Sequence, residues 1–167
     1  PYTRHANNQQ ISTYLNTPTP LPDREKTGYK NSFGKCLVVG GSSHYHGAPH
    51  FVASAFMKMG GGYIHLVTTD EVASSIAVTS PECVLHPFPT TPDGTLPHSA
   101  IDTVESTGVK QDVIVFGPGL GLSNDCSLLL KKLIFSPLLQ TIPLIIDGDG
   151  LSLLAAQPEL LHNRVPY

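Results

Sequence analysis

Lys35-Cys36-Leu37-Val38-Val39-Gly40-Gly41 opens the stretch that decides the fold, and Gly60-Gly61-Gly62-Tyr63-Ile64-His65-Leu66-Val67 closes it. The first is a short apolar run ending in two glycines, the pattern of a buried strand followed by a tight turn. Pro49 then stands where the first turn of a helix tolerates a missing N–H. Ala48, Phe51, Val52, Ala55, Phe56 and Met59 recur at helical spacing and are expected to form the apolar stripe of that helix. Three glycines stop it, and Tyr63 to Val67 reads as a second strand. Strand, glycine turn, helix, glycine stop and strand make a βαβ unit with a right-handed crossover.

The alternation continues downstream. Residues 71–78 read as a short helix, 83–86 as a strand, and 87–97 as a loop carrying four prolines. A helix is expected over 99–106 and a strand at Val113-Ile114-Val115-Phe116. Ser123 or Asn124 can cap a helix in which Cys126, Leu129, Leu130 and Leu133 share a face. Leu144-Ile145-Ile146 is another strand and residues 151–156 open another helix. Repeated β-α units with apolar strands predict an α/β fold around a mainly parallel sheet. Residues 1–32 read as a polar, proline-bearing leader or linker, with the domain occupying 33–167. The closing Arg164-Val165-Pro166-Tyr167 resembles the entry to a further strand, so the domain is expected to be truncated at its C-terminus.

Composition narrows the function classes. Charged residues are 14% of the 167, with ten Lys and Arg against thirteen Asp and Glu. Such a surface neutralises few phosphates, which argues against nucleic-acid binding. No apolar run reaches the roughly 18 residues that span a bilayer, so no membrane role is expected. Cys36, Cys83 and Cys126 are odd in number and widely spaced, the signature of reduced core thiols rather than a disulfide framework. A cytosolic setting is the expectation, with a mitochondrial one left open.

Three glycine-bearing segments follow three strands, where α/β sheets bind ligands beyond the carboxyl ends of their strands. They run from Gly40 to Pro49, from Gly117 to Gly121 (Gly-Pro-Gly-Leu-Gly), and from Asp147 to Leu151 (Asp-Gly-Asp-Gly-Leu). A G-x-G-x-x-G dinucleotide fingerprint fails, because Ser42 and Tyr45, or Ser43 and His46, stand at the later glycine offsets. Asp70, at the end of the second strand, keeps a ribose-binding acid in play. No phosphate-binding G-x-x-x-x-G-K-[ST] loop occurs, and Ser42 lacks the flanking glycines of a nucleophile elbow. His44, His46 and His50 match no zinc spacing, so no metal ligands are expected among them. Asp147 ends a strand, where its carboxylate would face a ligand crevice. Asp149 is equally open to a helix-capping role.

Taken in order, these segments resemble a known family. Gly34 to Ser42, then Tyr45 and Gly47-Ala48-Pro49, then Ser80-Pro81-Glu82, Gly117 to Gly121 and Asp147 to Leu151 are similar to the motifs of the ADP- or ATP-dependent (S)-NAD(P)H-hydrate dehydratases. The resemblance covers about residues 29–159. One departure is Gly148, where many relatives carry alanine.

The resemblance implies a ribokinase-like, three-layer α/β/α fold and a lyase of metabolite repair. Its substrate would be hydrated NADH or NADPH, its phosphoryl donor ADP or ATP with Mg²⁺, and its functional companion an NAD(P)H-hydrate epimerase. A homo-oligomer is expected. Carried over by motif, the substrate-binding residues would be Ser42, Tyr45, Gly47, Ala48, Gly117, Gly119, Gly121 and Asp147, gripping the dinucleotide largely through main-chain amides. Ser42, Ala48, Gly119 and Asp147 should then border a common hollow. The threonine-proline-histidine segment, nucleotide-binding lysine and G-T-G-D motif of the family do not occur in this sequence. The catalytic base is therefore unassigned, and the chain alone is expected to be inactive. Two rival readings remain open: a ribokinase-like kinase for a vitamin precursor or sugar, and a non-catalytic nucleotide-binding module.

Overall fold

The computed structural model describes residues 23–163. Five strands form one all-parallel sheet: β1 (Lys35–Val39), β2 (Tyr63–Thr69), β3 (Val84–Phe88), β4 (Val113–Phe116) and β5 (Leu144–Ile146), in the order β3-β2-β1-β4-β5. Five α-helices alternate with them: α1 (Gly47–Lys58), α2 (Asp70–Thr79), α3 (Ile101–Gly108), α4 (Asn124–Phe135) and α5 (Asp149–Ala155). Short 3₁₀ turns lie at Lys30–Ser32, His98–Ala100 and Pro158–Asn163.

Both faces of the sheet are covered, as parallel pairing requires. One face packs Leu37, Val39, Val67, Ile114 and Phe116 against α3, α4 and α5. The other packs Cys36, Val38, Ile64 and Leu66 against α1 and α2. The expected α/β/α layering is therefore present. Strand order moves one way from β1 to β3 and the other way from β4 to β5, so the switch point lies between β1 and β4.

The predicted stripe of α1 is out of phase with the observed one. Pro49 and Ala53 are buried and Val52, Phe56 and Met57 pack beside them, whereas Phe51 is 72% exposed, and Ala55 and Met59 are also exposed. Two overlapping apolar arcs compete on this helix. Ala53 wins the centre because its methyl lets the helix come close to the sheet, which the Phe51 ring would prevent. The helix ends as its glycines predict. Gly60 takes φ +95° and donates to Met57 O, while Gly61 donates to Phe56 O, the paired bonds of a Schellman cap.

Several boundaries also move. The third strand extends to Phe88 and includes Pro87, which is tolerated because β3 is an edge strand. Asp70 does not end β2; it is the first residue of α2, and its Oδ1 accepts from Glu71 N–H and the Thr90 hydroxyl. Ser123 caps α4 by accepting from Cys126 N–H, and Cys126, Leu129, Leu130 and Leu133 are all buried beneath it. All three cysteines are buried and free. Among the described residues no helix is long and apolar enough to cross a membrane.

The leader expected over 1–32 lies mostly outside the described residues, and the strand entry expected at 164–167 lies wholly outside them. Arg24, within the described part, sets its guanidinium 3.8 Å from the Phe33 ring centre and donates to Gly60 O.

Candidate functional site at the switch point

The turns after β1 and β4 meet because each lacks side chains where their backbones cross. A Cβ on Gly40 would stand 2.5 Å from Pro118 O, and Gly41 N–H donates to that same carbonyl at 2.9 Å. Gly119, at φ +63°, lies against Tyr45 and Ala48; a Cβ there would come within 2.6 Å and 3.1 Å of theirs. Gly117 makes the parallel contact to the third turn. It takes φ +114°, and a Cβ there would fall 2.2 Å from Asp147 O. The three glycine segments thus interlock backbone to backbone.

A fourth segment joins them. Thr91-Pro92-Asp93-Gly94 is a proline-aspartate-glycine turn, closed by Gly94 N–H to Thr91 O at 2.9 Å with Gly94 at φ +73°. Gly94 O accepts from Ser43 N–H at 2.8 Å, which pins this turn against the β1 loop. The result is an open hollow of about 460 Å³ lined by Ser42, His44, Tyr45 and Asp93 on one side and Thr95, Gly121, Ser123 and Asp149 on the other.

Of the residues expected at the site, Ser42, Tyr45 and Gly121 line this hollow. Ala48 and Gly119 pack directly behind Tyr45, and Gly47 starts α1. Asp147 contributes its backbone: its N–H donates to Phe116 O and its carbonyl accepts from Gly150 N–H, while its side chain is exposed and outside the lining. Ser42, Ala48, Gly119 and Asp147 are therefore joined through the interlocked turns, and of the four Ser42 lines this hollow.

Asp149 is the carboxylate of the third turn that reaches the hollow. It does not cap α5, whose N-cap is Gly148; its Oδ2 accepts the Gly121 N–H at 2.8 Å. The turn amides are largely used within the protein as well. Gly40, Gly41, Ser43, Tyr45, Gly117 and Leu120 all donate to backbone carbonyls. Glycine here fixes the shape of the site, and side chains supply much of its chemistry.

That chemistry is hydroxylic and acidic. Ser42 is 1% exposed and its Oγ has no hydrogen-bond partner, a costly state that a bound polar group would relieve. Thr95 Oγ1 shares a 2.7 Å bond with Ser123 Oγ and a 3.0 Å bond with Thr91 Oγ1. Asp93 and Asp149 bring two carboxylates, and among the described residues no Lys or Arg lines the hollow. Beside it, Asp125 accepts from the His98 main chain at 2.9 Å and from its ring at 2.6 Å, and these bonds hold its carboxyl below the usual range. Asp93, Thr95 and Ser123 were missed as site residues; the one signal for them was the Pro92-Asp93-Gly94 turn.

The three histidines close in sequence find separate surroundings. His46 bonds Ser75, His50 bonds Ser54 and Ser80, and His44 borders the hollow. Among the described residues no group of three or more His, Cys, Asp or Glu could hold a metal ion.

Comparison with known proteins places this architecture. The chain is 34% identical over 155 residues to a bifunctional NAD(P)H-hydrate repair enzyme of Thermofilum pendens, covering 93% of this chain and 29% of that one. It is 33% identical over 143 residues to the human ATP-dependent (S)-NAD(P)H-hydrate dehydratase, covering 86% of this chain and 40% of that one. The chain thus spans less than half the length of these curated relatives.

Among solved structures it superposes on a ribokinase-like superfamily protein from Enterococcus faecalis with a TM-score of 0.69 at 24% identity, covering 83% of this chain and 45% of that one. It superposes on the ADP/ATP-dependent NAD(P)H-hydrate dehydratase of Bacillus subtilis with a TM-score of 0.58 at 21% identity, covering 78% of this chain and 43% of that one. Both show the ribokinase-like fold. The family model described as NAD(P)H-hydrate dehydratase matches residues 36–167, which take in the sheet from the second residue of β1 onward, and the chain belongs to that family.

Proposed function

We propose that this chain holds the substrate in a nucleotide-dependent (S)-NAD(P)H-hydrate dehydratase. The observation that carries the reading is the hollow at the switch point, framed by glycine segments that lie within the stretch matching the family and edged by Ser42, Tyr45 and Asp149. Carboxylates accept hydrogen bonds from hydroxyls, so Asp93 and Asp149 suit the ribose or added ring hydroxyl of a hydrated nicotinamide nucleotide. Ser42 Oγ offers a further partner, and the exposed Tyr45 ring a flat apolar surface. Ala48 and Gly119 shape the wall behind Tyr45, Gly47 starts α1, and Gly117 packs against Asp147, whose backbone anchors the third turn.

Hydroxide leaves poorly and phosphate leaves well, which gives phosphorylation its purpose. The substrate hydroxyl oxygen attacks the terminal phosphorus of ADP or ATP, releasing AMP or ADP and a proton. The C–O bond then breaks, phosphate departs with the bonding pair, and a proton is lost from the neighbouring ring carbon. The ring double bond of NADH or NADPH is thereby restored. Phosphoryl transfer asks mainly for positioning and charge stabilisation, and the hydroxyl proton asks for a base. None of the described residues is assigned that base. Mg²⁺ is the expected companion of the donor, but the described side chains do not form a metal-binding group, and no step is routed through it. A cytosolic homo-oligomer working beside an epimerase is the setting this reading implies.

The test uses a polypeptide containing this chain and the remaining length of its relatives, given hydrated NADH with ATP or ADP. Recovery of NADH absorbance that depends on the nucleotide is expected, and its absence sinks the proposal. Ser42→Ala should raise KM for the hydrate more than it lowers kcat.

A further inference from the structure

The opposite end of the sheet carries an anomaly. A parallel sheet buried on both faces should present apolar side chains along each strand. On the face toward α3, the strands instead begin polar and turn apolar: Lys35, Leu37, Val39 on β1 and Tyr63, His65, Val67 on β2. On β3, His86 precedes Phe88 on that face, with Val84 at its start.

Lys35, Tyr63, His65, Val84 and His86 border a hollow of about 520 Å³ toward the amino ends of the strands, remote in the sheet from the switch point. Lys30, Lys35 and Lys110 all line it, with His65, His86 and Gln111. Among the described residues no carboxylate lines it, in a chain with only ten Lys and Arg. Glu105 and Asp112 flank the lining in sequence without belonging to it, and the Asp112 carboxylate is engaged by the Lys35 main-chain N–H at 2.8 Å. Lys30 donates to the Tyr63 hydroxyl and lies 4.5 Å from that ring's centre. No ion pair involves Lys35 or Lys110 among the described residues.

Two further observations suggest a ligand. His65 Nδ1 and His86 Nε2 are 2.9 Å apart and their rings stack at 5.3 Å. They therefore share one proton, and each keeps its other ring nitrogen for a separate partner. Gln111 is 6% exposed and lines the same hollow; its Nε2 donates to Thr107 O while its Oε1 is buried with no partner.

We infer that this hollow is a second binding site, for a small molecule bearing a diphosphate or comparably charged oxyanion. Lys35 and Lys110 contact the anion, the His65–His86 pair donates to it, and Gln111 Oε1 accepts from a ligand hydroxyl. The site is independent of the dehydratase reading, because none of its residues belongs to the hollow between β1 and β4.

The proton balance of the pair makes binding readable. Burial holds both imidazoles below the ordinary histidine value, and for His65 the neighbouring His86 and Lys110 add to it. A bound anion reverses that bias by favouring the protonated form.

The experiment titrates the full chain with inorganic pyrophosphate and follows the imidazole C2–H resonances, assigned with His65→Asn and His86→Asn. Saturable shifts and raised apparent pKa values at both histidines are expected. Lys35→Gln and Lys110→Gln should each weaken binding about tenfold, the scale of one charge-assisted hydrogen bond. ADP in a parallel titration separates a nucleotide ligand from a free diphosphate, since only the preferred form will bind more tightly at these two histidines. Shifts that never saturate, or that sodium chloride reproduces at equal ionic strength, would overturn the proposal. So would affinities untouched by both lysine variants. Should a variant fold poorly, the comparison of pyrophosphate with sodium chloride on the unsubstituted chain decides alone.

Discussion

Asp149 Oδ2 accepts the main-chain N–H of Gly121 at 2.8 Å, tying the first turn of α5 to the end of the β4 loop across 28 residues of sequence. That bond holds two lining segments of the switch-point hollow together. Asp149→Ala leaves the Gly121 N–H half-buried without its partner, at a cost of about 1.5–3 kcal/mol. A lower unfolding temperature and weaker binding of the hydrated dinucleotide are expected together. Asp149→Asn keeps an accepting oxygen and should lose less of both. Equal losses in the two variants would show that charge, not the bond, matters.

Gly117 and Gly119 should be the least replaceable residues of the site. Alanine at Gly117 meets Asp147 O at 2.2 Å and a φ of +114°, so the loop must shift. Alanine at Gly119 meets the Tyr45 and Ala48 Cβ atoms at φ +63°. The left-handed backbone alone costs a non-glycine residue about 1–2 kcal/mol. Thermal unfolding should report at least that loss at Gly117. Gly34, also at φ +85° but with open space around it, should cost only the backbone term.

Stability should fall on mild acidification. His65 and His86 titrate below the ordinary histidine value of about 6.5 in the folded chain, chiefly because burial opposes their charge. As pH drops through that ordinary value the unfolded chain takes up protons that the folded chain refuses, so unfolding gains ground. Unfolding temperatures measured at mildly alkaline and mildly acidic pH should show the drop, and the paired variant His65→Gln with His86→Gln should flatten it. Asp125 acts in a lower window. Its depressed carboxyl contributes stability above the unfolded aspartate value of about 3.9, and that share is lost as pH falls toward its folded value.

The thiols should be silent in the native state. Burial pushes Cys36 up to about 12 and Cys83, with a smaller contribution from Glu82, up to about 11; Cys126 is raised as well, again chiefly by burial. A thiol reagent at neutral pH should label none of the three rapidly, and all three after denaturation. A fast-reacting native thiol would contradict the described burial.

Sequence alone delivered the strands and the capping of α4, because a four- or five-residue apolar run between polar breaks has few other readings. It misjudged α1, where Phe51 and Ala53 compete and only contact with the sheet shows that the smaller residue must face inward. It assigned Asp149 a choice that adjacent residues cannot resolve, since its true partner, Gly121, is distant in the chain. Asp93 and Thr95 escaped notice because a proline-rich loop shows where it bends and not what it bends toward. The polar inner face at Lys35, Tyr63 and His65 was hidden inside runs read as strands, and became visible once alternate residues could be followed on one side of the sheet.

Pro87 sits inside the outermost strand, β3, and proline has no N–H to offer a neighbour. A strand docking there would meet a gap in the row of donors. The outer side of β5 has no such gap over Leu144–Ile146. Among the described strands the sheet is therefore directional in its tolerance: the margin that carries Pro87 discourages stray β-pairing, while the margin at β5 offers an unbroken row of donors.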